Sequence, residues 1–254
     1  MKTAIVTGAG SGIGRACALA LLRQGWQLAL IGRRREALED SVAQAAALHM
    51  PAAQRCLVLP CDVSQESQVV AAFAQTVARF GRLDLLFNNA GGGLGASLPD
   101  EVDGAAWRAV VDVNLNGAFY CLREAFRQMR AQSPQGGRII NNGSLAAYVP
   151  RPQSIAYATT KHAITGLTRS AALDGRAFHI AVGQIDIGNA DTPLTAGLAH
   201  GPGALQPDGS RRPEAQLDLD SVAEAFMAMA RLPMHANVLF TTVMATQMPF
   251  VGRG

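Results

Sequence analysis

The chain is predicted to fold as a doubly wound α/β domain, a seven-stranded parallel sheet with helices on both faces. Three observations predict it. Short apolar runs alternate with helical patterns along all 254 residues, which implies parallel strands joined by right-handed helical crossovers. The first run, Ala4-Ile5-Val6, passes through a glycine-rich turn straight into a helical pattern. No internal repeat or low-complexity linker breaks the alternation, so residues 1–254 are expected to form one domain.

The elements follow in order. After Ala4-Ile5-Val6 comes Thr7-Gly8-Ala9-Gly10-Ser11-Gly12-Ile13-Gly14, then a helix with Ile13, Ala16, Cys17, Ala20 and Leu21 on one face. The apolar run Gln27 to Ile31 precedes a helix from about Glu36 to Leu48, and Cys56 to Cys61 precedes one from about Glu66 to Phe80. Leu83 to Phe87 leads to a long helical region from about Ala105 to Arg130, and Arg138 to Asn141 leads to a helix from about Ser154 to Asp174. The run His179 to Ile185, a helix near Ser221 to Ala230 and the run Val238 to Phe240 complete the pattern.

Composition narrows the function. Net charge is +3 and no basic run reaches five residues, so nucleic acid is not an expected partner. Arg33-Arg34-Arg35 is the densest positive spot. No apolar stretch approaches a membrane span, and the N-terminus lacks a charged region followed by an apolar core, so a soluble, cytoplasmic protein is expected. The four cysteines, Cys17, Cys56, Cys61 and Cys121, form no CxxC pair and are expected to be free thiols filling the core. His49, His162, His179, His200 and His235 show no ligand spacing, so no metal is expected.

The glycine turn carries the first functional signal. Glycines permit a tight turn with positive φ and a close backbone approach to a pyrophosphate, while the following helix aims free N–H groups at the anion. A Walker A loop needs Gly-Lys-Ser/Thr, and Gly14 is followed by Arg15-Ala16, so that reading fails.

Loops after the later strands add to it. Arg33 lies nineteen residues beyond Gly14, where a dinucleotide fold reads the ribose. An acid there favours NAD. Arg33 and Arg34 instead offer donors to a 2′-phosphate and favour NADP(H), with NAD(H) possible. Glu36 belongs to the first turn of the next helix. Asp62 either accepts from an adenine amino group or caps the next helix, a role Ser64 serves equally well. Asn88 and Asn89 are placed to bond neighbouring backbone and hold strands together at the crevice.

Tyr157 and Lys161, four residues apart, share one helix face. Ser144, at the end of the preceding strand and loop, lies thirteen residues before the tyrosine. A phenol with an ordinary pKa of about 10 is a poor proton shuttle at neutral pH, and bringing it to neutrality takes about 4 kcal/mol. One ammonium at about 4 Å in an effective dielectric near 20 supplies about that much, so a lysine one turn away is what a tyrosine acid/base needs. Asn114, amid apolar neighbours, is expected to be a buried polar group with partners.

Together these residues closely resemble the short-chain dehydrogenase/reductase family over essentially the whole chain: Thr7-Gly8-x3-Gly12-x-Gly14, Asn88-Asn89-Ala90-Gly91, Asn114, Ser144 and Tyr157-x3-Lys161 occur in order. The resemblance implies a Rossmann-type fold and hydride transfer between a nicotinamide cofactor and a carbonyl or secondary alcohol. It implies that Tyr157 protonates the carbonyl or deprotonates the alcohol, Ser144 orients that oxygen, Lys161 bonds the nicotinamide ribose, and Asn114 holds a relay water. It places cofactor contacts at Gly8, Ser11, Gly12, Ile13, Gly14, Arg33, Arg34, Asp62, Val63, Asn89, Ala90, Gly91, Tyr157, Lys161, Ile187 and Thr192. It also implies a homodimer or homotetramer built on the two long helices.

One departure is Ile187 where the family commonly has proline before Gly188, and losing that fixed φ is expected to loosen the turn. Asp186 and Asp191 are expected to be solvated or capping, with Asp191-Thr192-Pro193 starting a helix. The segment about 189–215, richest in Gly and Pro from Gly197 to Pro213, is expected to cover the substrate. Leu145, Ala146, Tyr148, Val149, Gly93 and Leu94 are expected pocket walls, suited to an apolar carbonyl compound. The alternative class is a nucleotide-binding sensor or scaffold, which has no need of Ser144, Tyr157 and Lys161 together.

Overall fold

β1 (Thr3–Thr7), TAIVT, is buried at every position, as a central strand of a sheet covered on both faces should be. The computed structural model describes residues 1–199 and 201–251, so His200 and the last three residues lie outside the described part. From β1 the chain runs through α1 (Gly12–Arg23), β2 (Gln27–Gly32), α2 (Arg35–Ala47), a short α3 (Ala52–Arg55), β3 (Cys56–Pro60), α4 (Glu66–Phe80) and β4 (Leu85–Asn88). It continues with α5 (Gly104–Val111), a π-helical turn Asp112–Gly117, α6 (Ala118–Ala131), β5 (Gly137–Asn142), a 3-10 turn Leu145–Ala147, α7 (Ile155–Gly175) and β6 (Ile180–Ile187). α8 (Ala196–Ala199), β7 (Ala204–Leu205), β8 (Arg211–Arg212), α9 (Leu219–Ala230) and β9 (Phe240–Val243) end it.

Seven strands form one sheet in the order β3-β2-β1-β4-β5-β6-β9, and every pairing is parallel, as the alternation predicts. Strand side chains alternate between its faces. Ala4, Val6, Leu28, Leu30, Leu85 and Phe87 enter the core shared with α1 and α9, where Phe87 and Phe226 rings meet at 4.4 Å. Ile5, Ala29, Ile31 and Leu86 point the other way, into a core shared with α4, α6 and α7. Burying each of the larger of these side chains, Val, Leu, Ile or Phe, contributes about 1.5–3 kcal/mol. The four cysteines are unpaired. Burial pushes the Cys56 and Cys61 thiols up to about 11 and those of Cys17 and Cys121 higher still, which keeps them inert packing groups.

Four expectations need correction. The last strand is Phe240–Val243 rather than Val238 to Phe240, because pairing with β6 begins at Gln184 and Phe240 and runs on through Thr241 and Thr242, β-branched residues that suit a ladder. The turn at Ile187 is not loosened: Ile187 is the buried last residue of β6, paired with Val243, and Gly188 N–H donates to Val243 O at 2.9 Å. Asp191-Thr192-Pro193 starts no helix. The Thr195 hydroxyl bonds Thr192 and Ala190 O, closing a turn first, and α8 begins at Ala196. Asp186 is neither solvated nor capping a helix. It is fully buried.

Candidate active site

The sheet changes direction between β1 and β4, so the loops leaving their carboxyl ends part there and open a crevice. On the β1 side the turn demands glycine: Gly8 and Gly12 have φ of +68° and +49°, and a Cβ on Gly14 would stand 2.2 Å from Gly8 O. Ser11 puts no side-chain cap on α1, so the first-turn N–H groups around Gly12 and Ile13 stay open. Thr192 comes across to this turn, its Cγ2 3.0 Å from where a Gly12 Cβ would lie.

Thr7 and the asparagines tie the crevice floor together. The Thr7 hydroxyl accepts the N–H groups of Asn89 and Ala90, both at 2.9 Å, and Asn89 Nδ2 donates to Thr7 O at 2.9 Å. Asn88 Nδ2 donates to Ala118 O at 2.8 Å and Asn141 Oδ1 at 3.1 Å, so these side chains bridge strands as expected. Asn142 donates to Asn89 Oδ1 at 2.9 Å, while its own buried Oδ1 has no partner among the described residues. Gly91 lies exposed against Asn114.

Arg33 and Arg34 leave β2 exposed, and neither makes an ion pair among the described residues, whereas Arg35 pairs with Glu39 at 3.6 Å. Asp62 caps no helix. Its Oδ1 accepts from the N–H and hydroxyl of its neighbour Ser64 at 3.0 and 2.8 Å, a local turn that occupies both candidate caps before α4 starts. Val63 is buried against Gly117, where a Cβ would meet its Cγ2 at 2.8 Å.

Asn114 sits in the π-helical turn between α5 and α6, a widening that often marks functional sites. It is 4% exposed and doubly bonded to Gly92, accepting its N–H and donating to its carbonyl, both at 2.8 Å. Its Nδ2 also reaches Thr160 Oγ1 at 3.2 Å, and that hydroxyl donates to Tyr157 O at 2.9 Å. Lys161 is buried, donates to Asn142 O at 2.8 Å, and stands 5.5 Å from the Tyr157 ring centroid. Ser144 Oγ accepts the Ala146 N–H at 3.2 Å, and its own proton has no acceptor among the described residues. Asn114 thus reaches the Tyr157 carbonyl through Thr160, Lys161 is tied to Asn142 at the end of β5, and the turn Leu145–Ala147 that follows Ser144 packs against α7.

Sequence reasoning missed two groups. Asp186 accepts from Ser144 N–H at 3.0 Å, Gln184 Nε2 at 2.7 Å and the Tyr148 hydroxyl at 2.8 Å. Arg151 bonds both Asn189 and the buried Glu214, fastening the two ends of the segment expected to cover the substrate. No local signal reveals either, because apart from Gln184 the partners stand 38 or more positions away.

Strand order and switch-point crevice define a Rossmann-type α/β protein. Residues 2–202 match the family model for short chain dehydrogenase. The chain belongs to the short-chain dehydrogenase/reductase family of oxidoreductases. It is 37% identical over 194 residues to 3beta-hydroxysteroid dehydrogenase of Mediterraneibacter gnavus, covering 76% of this chain and 68% of that protein. It is also 37% identical over 230 residues to cis-4-hydroxycyclohexanecarboxylate dehydrogenase of Sinomonas cyclohexanicum, covering 90% and 89%. An alcohol dehydrogenase from the archaeon Thermococcus sibiricus, complexed with 5-hydroxy-NADP, superposes with a TM-score of 0.82 at 25% identity, covering 98% of both chains.

Proposed function

We propose that this protein interconverts a secondary alcohol and a ketone, using NADP(H). The observation that carries the reading is the packing of the turn after Ser144 against α7, the helix that bears Tyr157 and Lys161 and to which Asn114 is tied through Thr160. The residues at the crevice fit a phosphorylated dinucleotide: an uncapped helix start behind a glycine turn, and, without partners among the described residues, two guanidinium groups and the buried Asn142 Oδ1. When bound, the nicotinamide accepts or gives the hydride. Gly8, Ser11, Gly12, Ile13 and Gly14 would hold its phosphates, Arg33 and Arg34 a 2′-phosphate, and Asp62, Val63, Asn89, Ala90, Gly91, Ile187 and Thr192 the rest.

Tyr157 is the proton carrier for the substrate oxygen, Ser144 donates a hydrogen bond to that oxygen, and Lys161 holds the nicotinamide ribose beside them. Asn114, braced on Gly92, reaches toward Tyr157 through Thr160 and supports the relay. Tyr148 is unsuited to carrying that proton, because burial of its hydroxyl and its bond to Asp186 push it up to about 12. Two of the relatives, the hydroxysteroid and the hydroxycyclohexanecarboxylate dehydrogenases, are named for ring-borne hydroxyl groups, which supports a cyclic alcohol or ketone as substrate class.

The segment 189–215 covers that substrate within a one-domain chain. Exposed Phe119, Ile155 and Leu173 on α6 and α7 support a homodimer or homotetramer. Among the described residues no helix is long and apolar enough to cross a membrane, and the free thiols support a cytoplasmic location. Following nicotinamide absorbance across a panel of cyclic alcohols tests the reading, and loss of the signal in Tyr157→Phe is the expected control.

A further inference from the structure

Asp186, near the end of β6, is 0% exposed, and three protein donors converge on it. Ser144 N–H (3.0 Å) and Gln184 Nε2 (2.7 Å) meet Oδ1, and the Tyr148 hydroxyl (2.8 Å) meets Oδ2. A carboxylate removed from water needs such compensation, and an apolar residue would satisfy the packing at lower cost. The cradle is built around it. A Cβ on Gly143 would lie 1.9 Å from Asp186 Oδ1, so only glycine before Ser144 lets the two approach. Gln184 is itself fixed, accepting from Thr168 Oγ1 at 2.9 Å and donating to Thr165 Oγ1 at 3.1 Å.

Ser144 and Tyr148 flank one short turn, Leu145–Ala147, and the same carboxylate grips both ends. The Tyr148 ring stays 45% exposed and edge-on to Phe250 at 6.4 Å, while its hydroxyl is turned inward. We propose that Asp186 is a positioning residue that locks Ser144 and Tyr148 into one wall, with the Tyr148 ring setting which substrates enter. This rests on Ser144 being the hydroxyl that orients the substrate oxygen.

The test combines hydrogen exchange and kinetics on the full chain. In Asp186→Ala, amide exchange across residues 144–149 should rise at least tenfold. Asp186→Asn should keep it within about threefold of wild type, since the amide oxygen can accept from Ser144 and its nitrogen can donate to Tyr148. With NADP⁺ and cyclohexanol, kcat/KM should fall at least tenfold in Asp186→Ala and recover in Asp186→Asn. Tyr148→Ala should shift the kcat/KM ratio of 4-tert-butylcyclohexanol to cyclohexanol at least fivefold toward the bulkier alcohol. Unchanged exchange in Asp186→Ala, an Asp186→Asn as impaired as Asp186→Ala, or an unmoved ratio in Tyr148→Ala would overturn the proposal. The exchange arm needs no substrate, and Asp186→Asn covers the case in which Asp186→Ala does not fold. Turnover that survives Tyr157→Phe would instead sink the acid/base reading and leave the exchange result standing.

Discussion

The Lys161 ammonium stands 5.5 Å from the centroid of the Tyr157 ring while donating to Asn142 O at 2.8 Å. One bond therefore anchors the lysine to the end of β5 and leaves its other protons for the crevice. The two residues sit one helical turn apart on α7, which puts both on one face, and the bond to Asn142 O then holds the end of the flexible lysine chain.

Tyr157→Phe removes only a hydroxyl from a half-buried ring. Turnover should fall about 10²–10⁴-fold, the usual share of a general acid/base, with NADPH affinity within about twofold of wild type. Lys161→Met should damage both rate and affinity. Steady-state kinetics beside NADPH fluorescence titration separates the two, and a Phe variant with a wild-type rate would remove Tyr157 from the chemistry.

Arg33 and Arg34 have no carboxylate partner among the described residues to restrain them, so a 2′-phosphate competes only with water. Charge-assisted bonds contribute about 1.5–3 kcal/mol each. Arg33→Ala combined with Arg34→Ala should weaken NADPH binding about tenfold or more and leave NADH nearly unchanged. Calorimetric titration with both cofactors decides it, and equal losses would discard the arginine assignment.

Most of the frame was legible in the sequence because long periodic segments declare themselves. α4 occupies Glu66–Phe80, as its apolar spacing implies, and all seven strands pair in parallel. Elements too short to show a period were invisible: α3, and the β7–β8 hairpin inside the covering segment. Asn114 declared itself by a polar side chain among apolar neighbours. Asp186 did not, since an aspartate near a loop reads as solvated, and its donors Ser144 and Tyr148 stand 42 and 38 positions earlier. Asp62 shows the converse: a good capping residue spent on Ser64, two positions on.

Arg151 sits between Ser144 and Tyr157 in the chain and bonds Asn189 Oδ1 at 2.9 Å as well as the buried Glu214. Glu214 also accepts from Asn189 Nδ2 at 2.9 Å and Gln206 Nε2 at 3.1 Å. Arg151→Met removes a cation that compensates a buried carboxylate, a loss of about 3 kcal/mol, at the lower end because the arginine is 26% exposed. Pairing it with Glu214→Leu should recover much of that stability. Urea unfolding of both variants checks the order, and a double variant weaker than the single would show that the bond network, not the buried charge, matters more.

Asp186 also gives the protein a pH-dependent stability of definite sign. Burial pushes its carboxyl above the usual carboxylate range, against the opposing bonds from Gln184, Tyr148 and Ser144 and the charge of Lys161. An unfolded aspartate titrates near 3.9, so between that value and the raised native one the folded state binds more protons than the unfolded state. Stability then falls as pH rises through the native value, because folded protein must surrender a proton it prefers to keep. Asp186→Asn has no such proton to lose. The gap in thermal midpoint, variant minus wild type, should therefore widen in the variant's favour as pH climbs from about 4 through the raised native value, then stay constant once Asp186 is fully ionised. Differential scanning calorimetry across that range reads the slope directly. A gap that narrows with rising pH would mean the surrounding donors outweigh burial and hold this carboxyl below its ordinary range.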